Sequence, residues 1–451
     1  VTERIETLVI LGAGGDLTAR LLLPGVASFL ATEEGQPLTI IGVDRGEVSA
    51  SEWRERVSAA FESFPSAIGR KVAKSSRYMQ GDATSSVDLQ RVLDAATGRV
   101  AVYFALPPAV AALACRALGE LSLPEGIVLA LEKPFGTDLA SAKALNRLIE
   151  KMVPERQVFR VDHFLGKSTV LNLIGLRFAN RIFEPLFSSE NVAKVEIIVD
   201  ESLALENRAG YYDKAGALID MIQSHLLLVL ALVAMEPPAS LDPDDLRGAM
   251  AQVLRATRTW RKNGTSSRRA RYGAGSIDGR RLPAYVDEDG VDPSLKTETL
   301  AEVTLAIDNW RWAGVPFVLR SGKALGENRQ DVVVTFKEVP HLPVGLSGVA
   351  GPSALRVSLK PATLDLDLVI NGEGDPFTLD RTILHAELGA PELSAYGEVL
   401  SGLLAGDPTI AVRGDVAEQC WRIVAPVLAA WRKDAVPLDT YAAGTLGPTS
   451  W

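Results

Sequence analysis

Two domains of different construction are predicted for this 451-residue chain. The first is a parallel, doubly wound α/β sheet over residues 1–155, and the second an α+β domain with a large, mainly antiparallel sheet over residues 156–451. Three observations lead there. Apolar runs in the first third alternate with helical patterns at βαβ spacing. The first run ends in a cluster of glycines. Beyond about residue 190 the strand-like runs partly alternate apolar with polar and lack regular intervening helices.

The elements follow in order. Thr7 to Leu11 is a short apolar run ending in Gly12-Ala13-Gly14-Gly15-Asp16, after which the pattern turns helical. Leu38 to Val43 is the second run, closed by Asp44-Arg45. Val100 to Leu106 and Ile127 to Leu131 have the composition of buried strands, each followed by a proline-containing turn and a helical segment. In the second domain the expected strands are Lys194–Val199, Glu298–Ile307, Val332–Phe336, Arg356–Leu359 and Leu364–Ile370, one face covered by helices around Ala217–Met235 and Ala411–Trp431. Lys262 to Arg281, rich in Arg, Ser and Gly, reads as an exposed loop. Leu226 to Ala234 is strongly apolar but about half the length of a membrane span, so a core helix is expected.

Bulk properties narrow the function classes. Hydrophobic residues at 47% and charged ones at 23% are those of a soluble globular protein. A formal charge of -9 argues against nucleic acid or an anionic membrane as partner, while leaving room for a local basic pocket that takes a small anion. Cys115 and Cys420 show no metal-ligand spacing and read as buried thiols of a reducing compartment. The start of the chain shows no signal-peptide pattern, and a cytoplasmic location is expected.

After a strand, glycines let the backbone approach a pyrophosphate at the N-terminus of the next helix, so the Gly12–Gly15 turn is a candidate dinucleotide cradle. Asp44 and Arg45 fall where the second strand ends, the place that reads the adenosine ribose. An acid there suits the 2′-hydroxyl of NAD and an arginine the 2′-phosphate of NADP; the guanidinium tips the expectation to NADP, with NAD open. Tyr103–Pro108 and Glu132–Gly136 also fall at strand ends, and proline after Lys133 stiffens the turn that presents it. Only four histidines exist, and His163 lies between Asp162 and Lys167, a carboxylate, an imidazole and an ammonium within six residues. A second, His225, has its own upstream acid, Asp220.

The order of these motifs resembles the glucose-6-phosphate dehydrogenases. The matching segments are GAGGDL (Gly12–Leu17), YFALPP (Tyr103–Pro108), EKPFGTDLASA (Glu132–Ala142), RVDHFLGK (Arg160–Lys167), RFAN and FEPL (Arg177–Asn180, Phe183–Leu186). They continue with GYYDKAGALIDMIQSHLL (Gly210–Leu227), ALVAMEPP (Ala231–Pro238), IDNWRWAGVPFVLRSGKAL (Ile307–Leu325), GDPT (Gly406–Thr409) and WRIV (Trp421–Val424). The resemblance implies a Rossmann-like coenzyme domain, a β+α domain, and homodimers or homotetramers assembled through its sheet. It implies oxidation of D-glucose 6-phosphate to the 1,5-lactone with hydride transfer to NADP or NAD, as the entry to the oxidative pentose phosphate pathway.

Carried over position by position, the resemblance makes His225 the base and Asp162 its carboxylate partner. Gly12, Gly15, Asp16, Leu17 and Arg45 fall in the coenzyme site, and Lys133 stands between coenzyme and substrate. His163 and Lys167 match the phosphate grip, Glu201 and Asp220 match acceptors for sugar hydroxyls, and Lys323 matches a further basic contact. No metal is implied. The chain departs from the family at Leu21, where a lysine is usual, at Phe164, where a tyrosine is usual, and at Asn328, where a basic residue is usual. Gly14 stands where Ser or Thr is common. Each lost charge-assisted contact weakens binding by about 1.5–3 kcal/mol unless Arg20 or Arg329 compensates. Two alternatives stay open: a dehydrogenase acting at C1 of a different sugar or sugar phosphate, and a non-catalytic sugar-phosphate or nucleotide sensor. Retention of the His225–Asp162 pair argues against the sensor.

Overall fold

A computed structural model describes residues 4–206 and 209–451. The chain forms two compact units, each assembled from three segments. The first comprises Val1–Ser168, Pro238–Ala251 and Pro391–Trp421, and the second Thr169–Pro237, Gln252–Ala390 and Arg422–Trp451.

The first unit is built on six parallel strands: β1 (Thr7–Leu11), β2 (Thr39–Asp44), β3 (Arg77–Gln80), β4 (Val100–Phe104), β5 (Val128–Glu132) and β6 (Val158–Val161), in the order β3-β2-β1-β4-β5-β6. Chain order reverses between β1 and β4, the crevice where open α/β sheets bind ligands. All residues of β1 and β4 are buried, because helices cover both faces; that is why these strands read as unbroken apolar runs. The unit extends past residue 155 because β6 pairs with β5, Leu129 opposite Val158. Arg160 is fully buried in β6 and structural: its guanidinium donates to Glu155 (2.8 Å) and Asn146 (2.9 Å).

The second unit carries the large sheet. Its strands are β7 (Val192–Asp200), β8 (Thr257–Thr259), β9 (Ser267–Gly273), then, after a separate hairpin of β10 (Gly275–Ile277) and β11 (Arg280–Leu282), β12 (Leu300–Ile307), β13 (Phe317–Gly322) and β14 (Arg329–Phe336). β15 (Ser347–Gly348), β16 (Ala354–Leu359), β17 (Ala362–Asn371), β18 (Thr378–Glu387) and β19 (Leu438–Ala442) complete it. The order is β15-β18-β17-β16-β14-β7-β13-β12-β9-β19, with β8 also paired to β12. Parallel pairing is confined to β7–β13, β9–β19 and β15–β18, so the sheet is mainly antiparallel as expected.

One expectation is overturned here. Lys262–Arg281 is not a loop: it contains β9, whose Ala270 and Tyr272 are buried. Two of its arginines are accommodated by backbone acceptors, Arg269 donating to the Val436 carbonyl (2.9 Å) and Arg271 to the Thr297 carbonyl (2.7 Å), while Arg268 pairs with Glu302. Composition suggested exposure, but guanidinium groups that find carbonyl partners can sit in a sheet.

A helical run packs on β7, β12 and β13. It comprises Ala209–Ala217, a π-helical stretch Leu218–Leu226, and an α-helix Leu227–Ala234. Among the described residues it is the one helix long and apolar enough to cross a membrane, and 89% of its most apolar window is buried inside the protein, as expected of a core helix. Buried Arg177 satisfies carbonyls at its C-terminal end, donating to Leu232 (3.3 Å) and Met235 (2.8 Å).

Candidate active site

In the first unit the functional side chains gather at the C-terminal ends of the parallel strands. Gly12 leaves β1 at φ +91°, and a Cβ there would lie 2.2 Å from the Ala105 carbonyl oxygen, so only glycine lets the turn pass β4. The turn is held by Gly12 and Ala13 N–H on the Val43 carbonyl (2.9 and 3.1 Å) and by the Thr18 hydroxyl on the Gly12 carbonyl (3.0 Å). A helical run opens at Asp16; its Ala19 N–H donates to the Gly15 carbonyl at 3.3 Å, and the amides before Ala19 lie ahead of the first helical bond. Gly14 and Gly15 leave the turn's outer surface without side chains, and the Gly14 N–H donates to the Asp44 carboxylate at 2.8 Å. Asp16 is exposed and 3.5 Å from Arg20, Leu17 packs toward the core, and Leu21 is exposed. Arg45 is exposed directly after β2.

Glu132 ends β5, and Lys133 follows it. The Tyr103 hydroxyl donates to the Glu132 carboxylate, and the Tyr396 hydroxyl reaches the same oxygen at 3.2 Å. Burial pushes the Glu132 carboxyl up to about 7, with Tyr103, Tyr396 and Lys133 pulling the other way. Tyr396 also stacks on His163, ring centroids 5.6 Å apart at 15°. Neither tyrosine nor Glu132 was assigned a role from sequence. Glu132 had a signal, being next to Lys133, whereas Tyr396 lies more than two hundred residues from the motifs it joins.

Asp162 follows β6 and is fully buried, one carboxylate oxygen accepting from Phe164 N–H at 3.0 Å. The turn it opens lies so close to the helix Ala395–Ala405 that a Cβ on Gly166 would be 2.2 Å from the Ala395 carbonyl oxygen. Phe164 is only 4% exposed, and the Lys167 ammonium sits over its ring, 3.8 Å from the centroid. A ring without a hydroxyl is therefore a seat for this cation.

In the second unit His225 is 1% exposed and lies in the π-helical stretch. Bonds from i to i+5 bring residues five apart, such as Asp220 and His225, onto nearly one helix face; such stretches are frequent at functional sites. Glu201 and Lys323 meet because β7 and β13 run parallel with Asp200 opposite Gly322. The next residue of each strand then faces its counterpart, and Lys323 Nζ donates to Glu201 at 2.6 Å. Tyr212 lies under Lys323, its centroid 5.4 Å from Nζ, and its buried hydroxyl has no hydrogen-bond partner among the described residues. Sequence reasoning missed Tyr212, although it sits inside the GYYD motif.

The departures are now located. Asn328 does not reach for a ligand: it is tied to Ser202, accepting from its N–H and donating to its hydroxyl, both at 2.9 Å. Arg329 is held by Asp331 at 2.9 Å, so it does not stand in as a free cation.

A glycine turn at the switch point of a parallel sheet, with Glu132 and Lys133 at a neighbouring strand end, is the arrangement of a dinucleotide-binding domain. Comparison with known proteins specifies it further. The chain belongs to the glucose-6-phosphate dehydrogenase family: the model of that family's NAD binding domain matches residues 9–172, and that of its C-terminal domain residues 174–451. The glucose-6-phosphate 1-dehydrogenase of Gluconobacter oxydans is 39% identical over 466 residues, covering 98% of this chain and 94% of the relative. That of Rhizobium meliloti is 37% identical over 467 residues, with the same coverages, 98% and 94%. The crystal structure of the Mycobacterium avium glucose-6-phosphate 1-dehydrogenase superposes with a TM-score of 0.86 at 32% identity, over 99% of this chain and 96% of that one. A glucose-6-phosphate dehydrogenase in complex with glucose 6-phosphate superposes with a TM-score of 0.89 at 28% identity, over 100% and 97%.

Proposed function

We propose that this chain oxidises glucose 6-phosphate at C1 to 6-phosphoglucono-1,5-lactone, with NADP or NAD as acceptor. The reading rests on family membership over residues 9–172 and 174–451, and His225, Asp162 and Lys133 stand in the segments that resemble the family's motifs. The bound nicotinamide supplies the hydride acceptor. His225 takes the proton of the C1 hydroxyl, a task suited to an imidazole whose pKa lies near working pH. Asp162 fixes the tautomer of that imidazole and favours its protonated form. Lys167, seated on Phe164, and His163, stacked on Tyr396, bind the phosphate, and their aromatic supports hold them in place without a tyrosine hydroxyl. Glu201 and Asp220 accept from sugar hydroxyls, and Lys323, donating to Glu201 at 2.6 Å, orients it. Gly12, Gly15, Asp16 and Leu17 line the pyrophosphate turn, and Arg45 offers the 2′-phosphate of NADP a guanidinium.

The protein assembles as a homodimer or homotetramer through the large sheet. In support, Leu364, Leu366, Leu368 and Ile370 alternate along one face of β17 and remain partly exposed. Its buried cysteines, Cys115 and Cys420, fit a cytoplasmic location.

A substrate panel tests the activity: NADPH and NADH formation with glucose 6-phosphate, glucose, galactose and other hexose 6-phosphates. Turnover highest with glucose 6-phosphate is expected. A preference for free glucose would overturn the substrate, and no turnover with any sugar despite nucleotide binding would overturn the enzyme.

A further inference from the structure

The main chain of Lys323 is held on both sides. Its N–H donates to the Thr299 carbonyl at 2.8 Å, and its carbonyl accepts from the Tyr441 hydroxyl at 2.6 Å. Tyr441 lies in β19 opposite Tyr272 of β9 and is 5% exposed. Its one proton goes to Lys323, so the Thr299 hydroxyl, 2.9 Å away, donates to Tyr441 and itself accepts from Tyr272 N–H at 2.9 Å. Burial raises the Tyr441 phenol well above its usual range, with the Thr299 hydroxyl pulling the other way, so Tyr441 keeps its proton and remains a donor.

Directly after Lys323 the backbone turns through buried Ala324 at φ +52°, a conformation that residues with a Cβ rarely adopt. Such strain persists only where the surroundings over-determine it. Here they do. Ala324 N–H donates to the Leu203 carbonyl (2.8 Å), its carbonyl accepts from Gly444 N–H (2.9 Å), and Gly326 N–H donates to the Thr445 carbonyl (2.9 Å). Tyr441, Gly444 and Thr445 belong to β19 and the residues just after it, so this one segment grips residues 323–326 at three points.

We propose that Tyr441 is a positioning residue for the sugar site: its hydroxyl holds the main chain of Lys323 in the strained turn that delivers the ammonium to Glu201. The inference rests on the reading of Lys323 as a substrate contact. A lysine side chain is long and flexible, so the direction of its ammonium depends on how firmly its main chain is fixed. Tyr441 acts on the sugar through Lys323 alone.

Tyr441→Phe keeps the ring and removes the donor. On the full chain it is expected to raise KM for glucose 6-phosphate by about 3- to 30-fold, the range for leaving a part-buried carbonyl without its partner, with kcat within a few-fold. The NADPH dissociation constant, read by coenzyme fluorescence without sugar, stays within about twofold of wild type. Lys323→Met provides a second background that separates positioning from general support of the fold. There the same Tyr441→Phe change is expected to alter kcat/KM by less than about twofold, because the group it positions is gone. Equal losses of kcat/KM in both backgrounds overturn the inference, and so does an unchanged KM in Tyr441→Phe alone. If Lys323→Met itself keeps the wild-type KM, the substrate reading of Lys323 fails and the role of Tyr441 falls with it.

Discussion

Replacing Phe164 by leucine tests whether the family's tyrosine has been exchanged for a cation seat. The Lys167 ammonium lies 3.8 Å from the Phe164 centroid, and the ring is 4% exposed. A cation over an aromatic face is worth about 0.5–1 kcal/mol when exposed and about 2 kcal/mol when desolvated. Leucine keeps an apolar side chain in the site but offers no π-face. If Lys167 grips the sugar phosphate, losing its seat raises KM for glucose 6-phosphate by about 2- to 30-fold and leaves kcat within a few-fold. Initial rates of NADPH formation against glucose 6-phosphate read this directly, with free glucose as the control that lacks a phosphate. Phe164→Tyr, which keeps the ring, is expected to hold KM at or below the wild-type value. An unchanged KM in Phe164→Leu, or an equal loss on glucose and glucose 6-phosphate, would refute the reasoning.

Three further outcomes are expected. His225→Asn lowers kcat by about 10²- to 10⁴-fold while KM for glucose 6-phosphate stays within several-fold, and a variant with wild-type kcat would remove His225 as the base. Glu298 accepts from Leu218 N–H at 2.9 Å, and burial pushes its carboxyl up from 4.5 to about 7. A raised carboxyl binds its proton more tightly folded than unfolded, so its contribution to stability is greatest below about pH 4.5 and is lost as pH rises through about 7. Glu298→Gln should therefore match wild type in urea unfolding near pH 5 and exceed it at pH 8 by up to roughly 3 kcal/mol; a constant difference across pH would contradict this. Gly12→Ala meets both a positive φ of +91° and the Ala105 carbonyl at 2.2 Å. It should cost more than about 2 kcal/mol of unfolding free energy and weaken NADPH binding, and wild-type values of both would remove the steric account.

Much of the first unit was legible because its strands, covered on both faces, appear as apolar runs, and because a glycine turn needs neighbouring residues only. The same locality made the Asp162–Lys167 segment and the His225 helix visible as motifs. Legibility failed where burial and composition disagree. β9 looked like a loop because its arginines are polar in sequence, and their partners, among them the carbonyls of Val436 and Thr297, lie far along the chain.

The chain's own sequence determined the family, four of the six strands of the coenzyme unit (β1, β2, β4 and β5) and the candidate base, since each depends on residue types at short spacing. Tertiary structure alone decided which side chains support them. Tyr396 reaches Glu132 and His163 across 264 and 233 residues, and Lys323 meets Glu201 across 122 through the register of β7 and β13. Gly14 and Asp44 were both visible as candidates, but the tertiary structure decided that the Asp44 carboxylate accepts from Gly14 N–H at 2.8 Å. Such pairings follow from packing and register, which local spacing does not encode.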